Sequence, residues 1–226
     1  MTLGHNLGIR QPPSHPRRDP LFSIIQAAGW PIWPLIACSI LALALIIERF
    51  VSLKADRVAP EKLLEEALTV SRAGVPAADV VSQLAANSAL GEVLAIGLRT
   101  LGSNPRCSEA DLRAIMEGSG RAVAHKLDRY MTALATIASA APLLGLLGTV
   151  IGMIEIFGTQ APGGSNPAHL AHGISVALYN TAFGLIVAIP SLIFWRYFRS
   201  RIDGYLLTME LASDRFLGHL LTLRSR

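Results

Sequence analysis

Three long apolar runs dominate the pattern of this chain: Trp33 to Phe50, Thr136 to Phe157 and His172 to Phe198. Each approaches or exceeds the roughly 20 mostly apolar residues that an α-helix needs to cross a hydrocarbon core about 30 Å thick. The pattern therefore predicts three membrane spans. The first run is retained as an anchor rather than cleaved as a secretory signal, because of its length and its charged exit of Glu48 and Arg49 followed by Lys54 and Arg57.

The polar stretch from Ser52 to Tyr130 has helix-favouring composition, broken at Gly74-Val75-Pro76 and at Gly102-Ser103-Asn104-Pro105. Its last helix starts at Ser108, an N-cap followed three residues later by Asp111. Only Gly118 and Gly120 interrupt the helix-formers from Leu112 to Tyr130, so this helix is expected to run straight into span two. Beyond span three, Ile202, Leu206, Met209, Phe216, Leu220 and Leu223 recur at helical spacing, which extends that span as well. Such stripes are read as packing seams between helices. The fold class is all-α: a polytopic membrane protein with three transmembrane helices, spans two and three continuing into a cytoplasmic helical region.

The expected segments are a disordered tail over 1–20, rich in Pro, Arg and His, then an amphipathic segment with the first span over 21–52. A cytoplasmic helical region follows over 53–130, the hairpin of spans two and three over 131–198, and a cytoplasmic C-terminal helix over 199–226. Trp30-Pro31 and Trp33-Pro34 mark the entry to the membrane, since indole suits the headgroup layer and proline the first helical turn.

Charge sets the orientation. Arg49, Lys54 and Arg57 follow span one, Arg121, Lys126 and Arg129 precede span two, and Arg196, Arg199 and Arg201 follow span three, whereas Gly158 to Ala171 carries no Lys or Arg. Short basic flanks stay in the cytoplasm. This puts the N-terminus and the connection between spans two and three outside, against the vote of Arg10, Arg17 and Arg18 in the N-terminal tail. The net charge of +4 is largely that of the membrane flanks and is no nucleic-acid footprint. Cys38 and Cys107 suggest neither a disulfide nor a metal site. No phosphate-cradling loop, ligand-spaced cluster or nucleophile with a base appears, so no enzyme, metal or cofactor is expected.

Spans two and three carry the candidate chemistry. Ala138, Pro142, Gly145, Thr149 and Gly152 fall at offsets of 4, 7, 11 and 14, and Ala177, Thr181, Gly184, Ala188 and Ser191 repeat those offsets. Small faces let helix backbones approach closely in lipid. At about 1.5 Å per residue, Thr149 and Thr181 both lie roughly 13 Å from the outer end of their spans. Two hydroxyls at one level could line a polar path in an oligomer, against the plainer reading that each bonds its own backbone. A hydroxyl orients water or solvates a carboxylate but does not titrate near neutral pH, so an ionisable group must come from elsewhere. Glu155, the only acidic residue in the two spans, is a secondary candidate by its membrane position. Asn180 borders Thr181 as another path candidate and as an interhelical hydrogen-bond former. Glu48 reads as an interfacial carboxylate paired with Arg49, and His169 and His172 stand at the outer mouth of span three.

The run Ala138-Ser139-Ala140-Ala141-Pro142-Leu143-Leu144-Gly145-Leu146-Leu147-Gly148-Thr149-Val150-Ile151-Gly152-Met153 resembles the second-span signature of the MotA/TolQ/ExbB proton-channel family. Gly173-Ile174-Ser175, Ala177-Leu178, Thr181-Ala182, Gly184-Leu185 and Ala188-Ile189-Pro190 resemble its third-span signature. Three spans suit the ExbB/TolQ branch, and ExbB is the nearer resemblance. The resemblance implies a pentamer in the inner membrane around a single-span ExbD/TolR-type partner, whose membrane aspartate carries the proton and faces Thr149 and Thr181. It implies work passed to a TonB-type or TolA-type transducer. Many members have a glutamate where this chain has Val176, five residues before Thr181. A scaffold without an ion path is the alternative from another class, and the matched threonines count against it.

Overall fold

The computed structural model describes residues 29–158 and 167–224, leaving aside the side chains of 167–170, 172 and 176. The expected tail over 1–20, the amphipathic stretch before Gly29, and the side chains of His169, His172 and Val176 lie outside the described residues. Eight helices are described: α1 (Ile32–Ser52), α2 (Ala55–Val58), α3 (Leu63–Val70), α4 (Ala78–Asn87), α5 (Ala89–Ser103), α6 (Glu109–Asp128), α7 (Met131–Gly158) and α8 (Pro167–Arg224). The protein is an all-α polytopic membrane protein, with α1, α7 and α8 each long and apolar enough to span a bilayer.

α1 opens at Pro31, with Pro34 in its first turn, where neither missing N–H breaks an intrahelical bond. Ile32, Leu35, Ala42, Ile46 and Arg49 are buried, while Ile40, Leu41, Leu43 and Ile47 face outward. This arrangement packs one stripe of α1 on α7 and α8 and gives the other face to lipid. α8 is a single helix of 58 residues, about 87 Å long at 1.5 Å per residue. Its far half, with Phe198, Ile202, Met209, Phe216 and Leu220 buried, is the spine against which α2 to α6 assemble a helical head. The apolar stripe read beyond span three is thus a packing seam, in which Leu206 and Leu223 are partly buried.

Local chemistry explains most of the breaks in the head. Gly74 adopts φ +139, a conformation open chiefly to glycine, and turns the chain between α3 and α4. The expected start of α6 is present: Ser108 Oγ accepts from the Asp111 N–H at 3.0 Å and donates to the Asp111 carboxylate at 2.7 Å. A further break at Ser88 escaped the sequence reading. There the Ser88 hydroxyl accepts from the Gly91 N–H at 3.1 Å, capping α5 immediately after α4 ends.

The expected continuous shaft from Ser108 into span two is interrupted. α6 ends at Asp128, Arg129 is extended with ψ 135, and Tyr130 stands at φ 68 before α7 begins. A left-handed tyrosine costs roughly 1–2 kcal/mol, and no Gly or Pro marks the place. Its support comes from span one. Arg49, only 3% exposed, donates from Nη1 to the Leu127 carbonyl at 2.9 Å and from Nη2 to Glu48 at 2.8 Å. Its guanidinium lies 5.5 Å from the Tyr130 ring centre, and that of Arg129 lies 4.7 Å away. Arg49 therefore caps the end of α6 and anchors the joint to α1. Arg49→Met keeps the apolar stem but strands the carbonyl, and should lower the stability of the solubilised protein by about 1–3 kcal/mol. A thermal unfolding series in detergent checks this through the midpoint.

Candidate functional site

α7 and α8 form an antiparallel hairpin whose backbones nearly touch. A Cβ added at Gly184 would stand 2.6 Å from the Ala141 carbonyl oxygen and 3.1 Å from Gly145 Cα. One added at Gly145 would meet the Asn180 carbonyl oxygen at 2.8 Å and Thr181 Cα at 3.0 Å. Farther along, Gly148 lies under the Asn180 side chain, Gly152 faces Ala177 and Gly173 faces Ile156. Ala138, Ala177 and Ala188 are buried, and Ala188 shares a small apolar cluster with Ala141 and with Leu35 of α1. Packing contacts of this kind replace hydrophobic expulsion as the attraction between helices in lipid.

The seam is rotated slightly from the face expected on α7. Its centre is Ala141, Gly145, Gly148 and Gly152, whereas Pro142 and Thr149 are only half-buried at its edge. Gly148 is the residue that sequence reasoning missed. Its signal was present in the spacing of Gly145, Gly148 and Gly152, which the choice of Thr149 as a face member displaced. Pro142 and Pro190 sit inside α7 and α8 and cannot donate to Ala138 and Ile186.

The register brings Gly148 opposite Asn180 and Gly145 opposite Thr181, so Thr149 stands within about one helical turn of Thr181, roughly 3–6 Å nearer the connecting end rather than at the same level. Their hydroxyls are held differently. Thr149 donates to the Leu146 carbonyl of its own helix at 2.6 Å, which is the backbone bonding common for hydroxyls in membrane helices. Thr181 instead donates across the seam to the Gly145 carbonyl at 3.3 Å. That bond is long against the usual 2.7–2.8 Å for O–H···O pairs, so little is lost when the hydroxyl turns towards a better acceptor. Thr181 retains two acceptor lone pairs for water.

Asn180 is 2% exposed, and its amide packs over Gly148. Glu155 lies on the exposed surface of α7, one turn from the connecting end. Glu48 is paired with Arg49, at the opposite end of the spans. Among the described residues no group of three or more His, Cys, Asp or Glu is placed to hold a metal ion. The site therefore offers a close-packed hairpin with two hydroxyls and an amide within about one helical turn of each other, able to orient a proton carrier.

A sequence profile of the MotA/TolQ/ExbB proton channel family matches residues 85–211, from the end of α4 through most of α8. The chain belongs to this family. A putative biopolymer transport protein ExbB-like 3 of Synechocystis is 33% identical over 178 residues, 77% of this chain and 83% of that protein. The biopolymer transport protein exbB1 of Vibrio cholerae is 32% identical over 180 residues, 76% of each. The Tol-Pal system protein TolQ of Pseudomonas aeruginosa is 28% identical over 181 residues, 75% of this chain and 77% of that protein. The MotA/TolQ/ExbB resemblance read from the hairpin signatures stands, with ExbB the nearer likeness. The chain is a multi-pass inner-membrane protein of a family of energy-transducing proton channels.

Proposed function

We propose that this chain is the ExbB-type subunit of a motor driven by the proton-motive force, which energises TonB-dependent transport across the outer membrane. The observation that carries this reading is the placement of Thr149 and Thr181 within about one helical turn of each other, with the Thr181 hydroxyl held by one long bond across a glycine seam. A hydroxyl so placed can turn to solvate the carboxylate of a single-span ExbD-type partner. In this reading the chain self-associates as a pentamer around that partner, with the N-terminus periplasmic and the head cytoplasmic. The basic residues flanking the head end of the spans support that orientation.

Asn180 holds the seam beside Thr181, and Glu155 feeds protons from the connecting end. Glu155→Gln should slow proton-coupled transport about threefold to tenfold, less than the roughly 10²–10⁴-fold of a group that transfers the proton directly. An unchanged rate with the complex intact removes Glu155 from the path.

A second reading, a TolQ-type subunit energising the Tol-Pal system, is favoured by the P. aeruginosa relative and uses the same hairpin chemistry. Growth of a deletion strain on a ferric siderophore as sole iron source separates the two. Loss of growth restored by the wild-type gene, with normal detergent resistance, supports the ExbB role. Normal growth combined with detergent sensitivity supports the TolQ role.

A further inference from the structure

Where α1 leaves its apolar run, a cavity of about 260 Å³ opens against α8. One wall is aromatic. Phe50 and Phe198 meet edge to face with ring centres 5.0 Å apart, and Tyr197 lies 5.5 Å from Phe198. The lining also carries Lys54, Arg201 and Arg49, with Asp56 as the one carboxylate. The charge of Arg49 is matched by Glu48, which leaves Lys54 and Arg201 against Asp56.

These two cations are held differently. Arg201 donates to the Tyr205 hydroxyl at 2.7 Å, which in turn donates to the Leu53 carbonyl at 3.0 Å, so the guanidinium is positioned while its other N–H groups stay available. Lys54 makes no ion pair among the described residues. Ile47 and Val51, beside the cavity's Phe50 on α1, and Ile193, one turn before its Tyr197 on α8, are exposed among the described residues. An occupant that fits all three features has an anionic head, a neck that lies on aromatic rings, and apolar tails that follow α1 and α8 into the bilayer.

We infer that this cavity binds an anionic phospholipid with a single phosphodiester, its phosphate between Lys54 and Arg201 and its acyl chains along Ile47 and Ile193. Basic pockets beside transmembrane helices suit such headgroups, and a juxtamembrane cation contributes measurably to holding them. A zwitterionic choline lipid would bring its own cation beside Lys54 and Arg201, which disfavours it.

The test is native mass spectrometry of the full-length protein, delipidated in detergent and then supplied with equal amounts of phosphatidylglycerol and phosphatidylcholine. The wild type should retain phosphatidylglycerol with a preference of about tenfold. Lys54→Gln, which removes no ion pair among the described residues, should cut that preference severalfold, and Lys54→Gln with Arg201→Gln should bring it within about twofold of unity. Lys54→Arg should keep it. Equal retention of both lipids by the wild type, or an undiminished preference in Lys54→Gln, overturns the assignment. A parallel sample with inorganic phosphate in place of lipid separates the sources. Phosphate adducts abolished by Lys54→Gln, without selective lipid retention, would make this a small-anion site and also overturn it.

Discussion

Thr181→Val is expected to reduce proton-coupled transport by at least about tenfold, while the hairpin and its oligomer remain assembled. Valine matches threonine in shape, so the close approach of Thr181 to Gly145 survives. What disappears is the hydroxyl that reaches the Gly145 carbonyl at 3.3 Å. An interhelical hydrogen bond in a membrane contributes only about 0.6 kcal/mol on average, too little for its loss to unfold the protein. Function is expected to fall because the hydroxyl that can turn from its long bond towards a partner carboxylate is gone. Thr149→Val should act more weakly alone, since its hydroxyl is committed to Leu146 at 2.6 Å, and more strongly in combination. Siderophore-dependent uptake at matched protein levels, with cross-linked oligomer measured in the same cells, separates loss of transport from loss of assembly.

Gly184→Ala should be far more damaging than its chemistry suggests. The new methyl would stand 2.6 Å from the Ala141 carbonyl oxygen and 3.1 Å from Gly145 Cα, both backbone atoms that no rotamer change can remove. The helices must separate, at a cost of about 1–3 kcal/mol for overpacking, and the Thr181 hydroxyl loses its already long bond. Gly204→Ala provides the contrast, because nothing lies within 4 Å of the corresponding Cβ there. That substitution should be neutral or stabilise the helix by up to about 1 kcal/mol. Thermal midpoints of the two variants in detergent should therefore move in opposite directions or differ clearly, and transport should fail only in Gly184→Ala.

The three spans and the long reach of α8 were legible because lipid demands continuous apolar runs, and Phe198, Ile202, Met209 and Phe216 keep helical spacing beyond them. The seam was legible as a class of residue, though its rotation was not. Sequence spacing groups Gly145, Thr149 and Gly152 on one face, but the backbone contact centres on Gly145, Gly148 and Gly152. The joint at Arg129 and Tyr130 left no local mark. It depends on a guanidinium from Arg49, some eighty positions earlier in the chain, reaching the Leu127 carbonyl. The break at Ser88 was readable as an N-cap, yet the helix-favouring residues on both sides concealed it.

The most direct test is proton flux into vesicles that contain this protein together with the proposed single-span ExbD-type partner, followed by a lumenal pH dye under an imposed membrane potential. Flux is expected to fall at least about tenfold from wild type in the Thr149→Val/Thr181→Val protein, with the same amount of complex in the vesicles. Flux in the double variant equal to wild type would contradict this and leave the hairpin as a structural support.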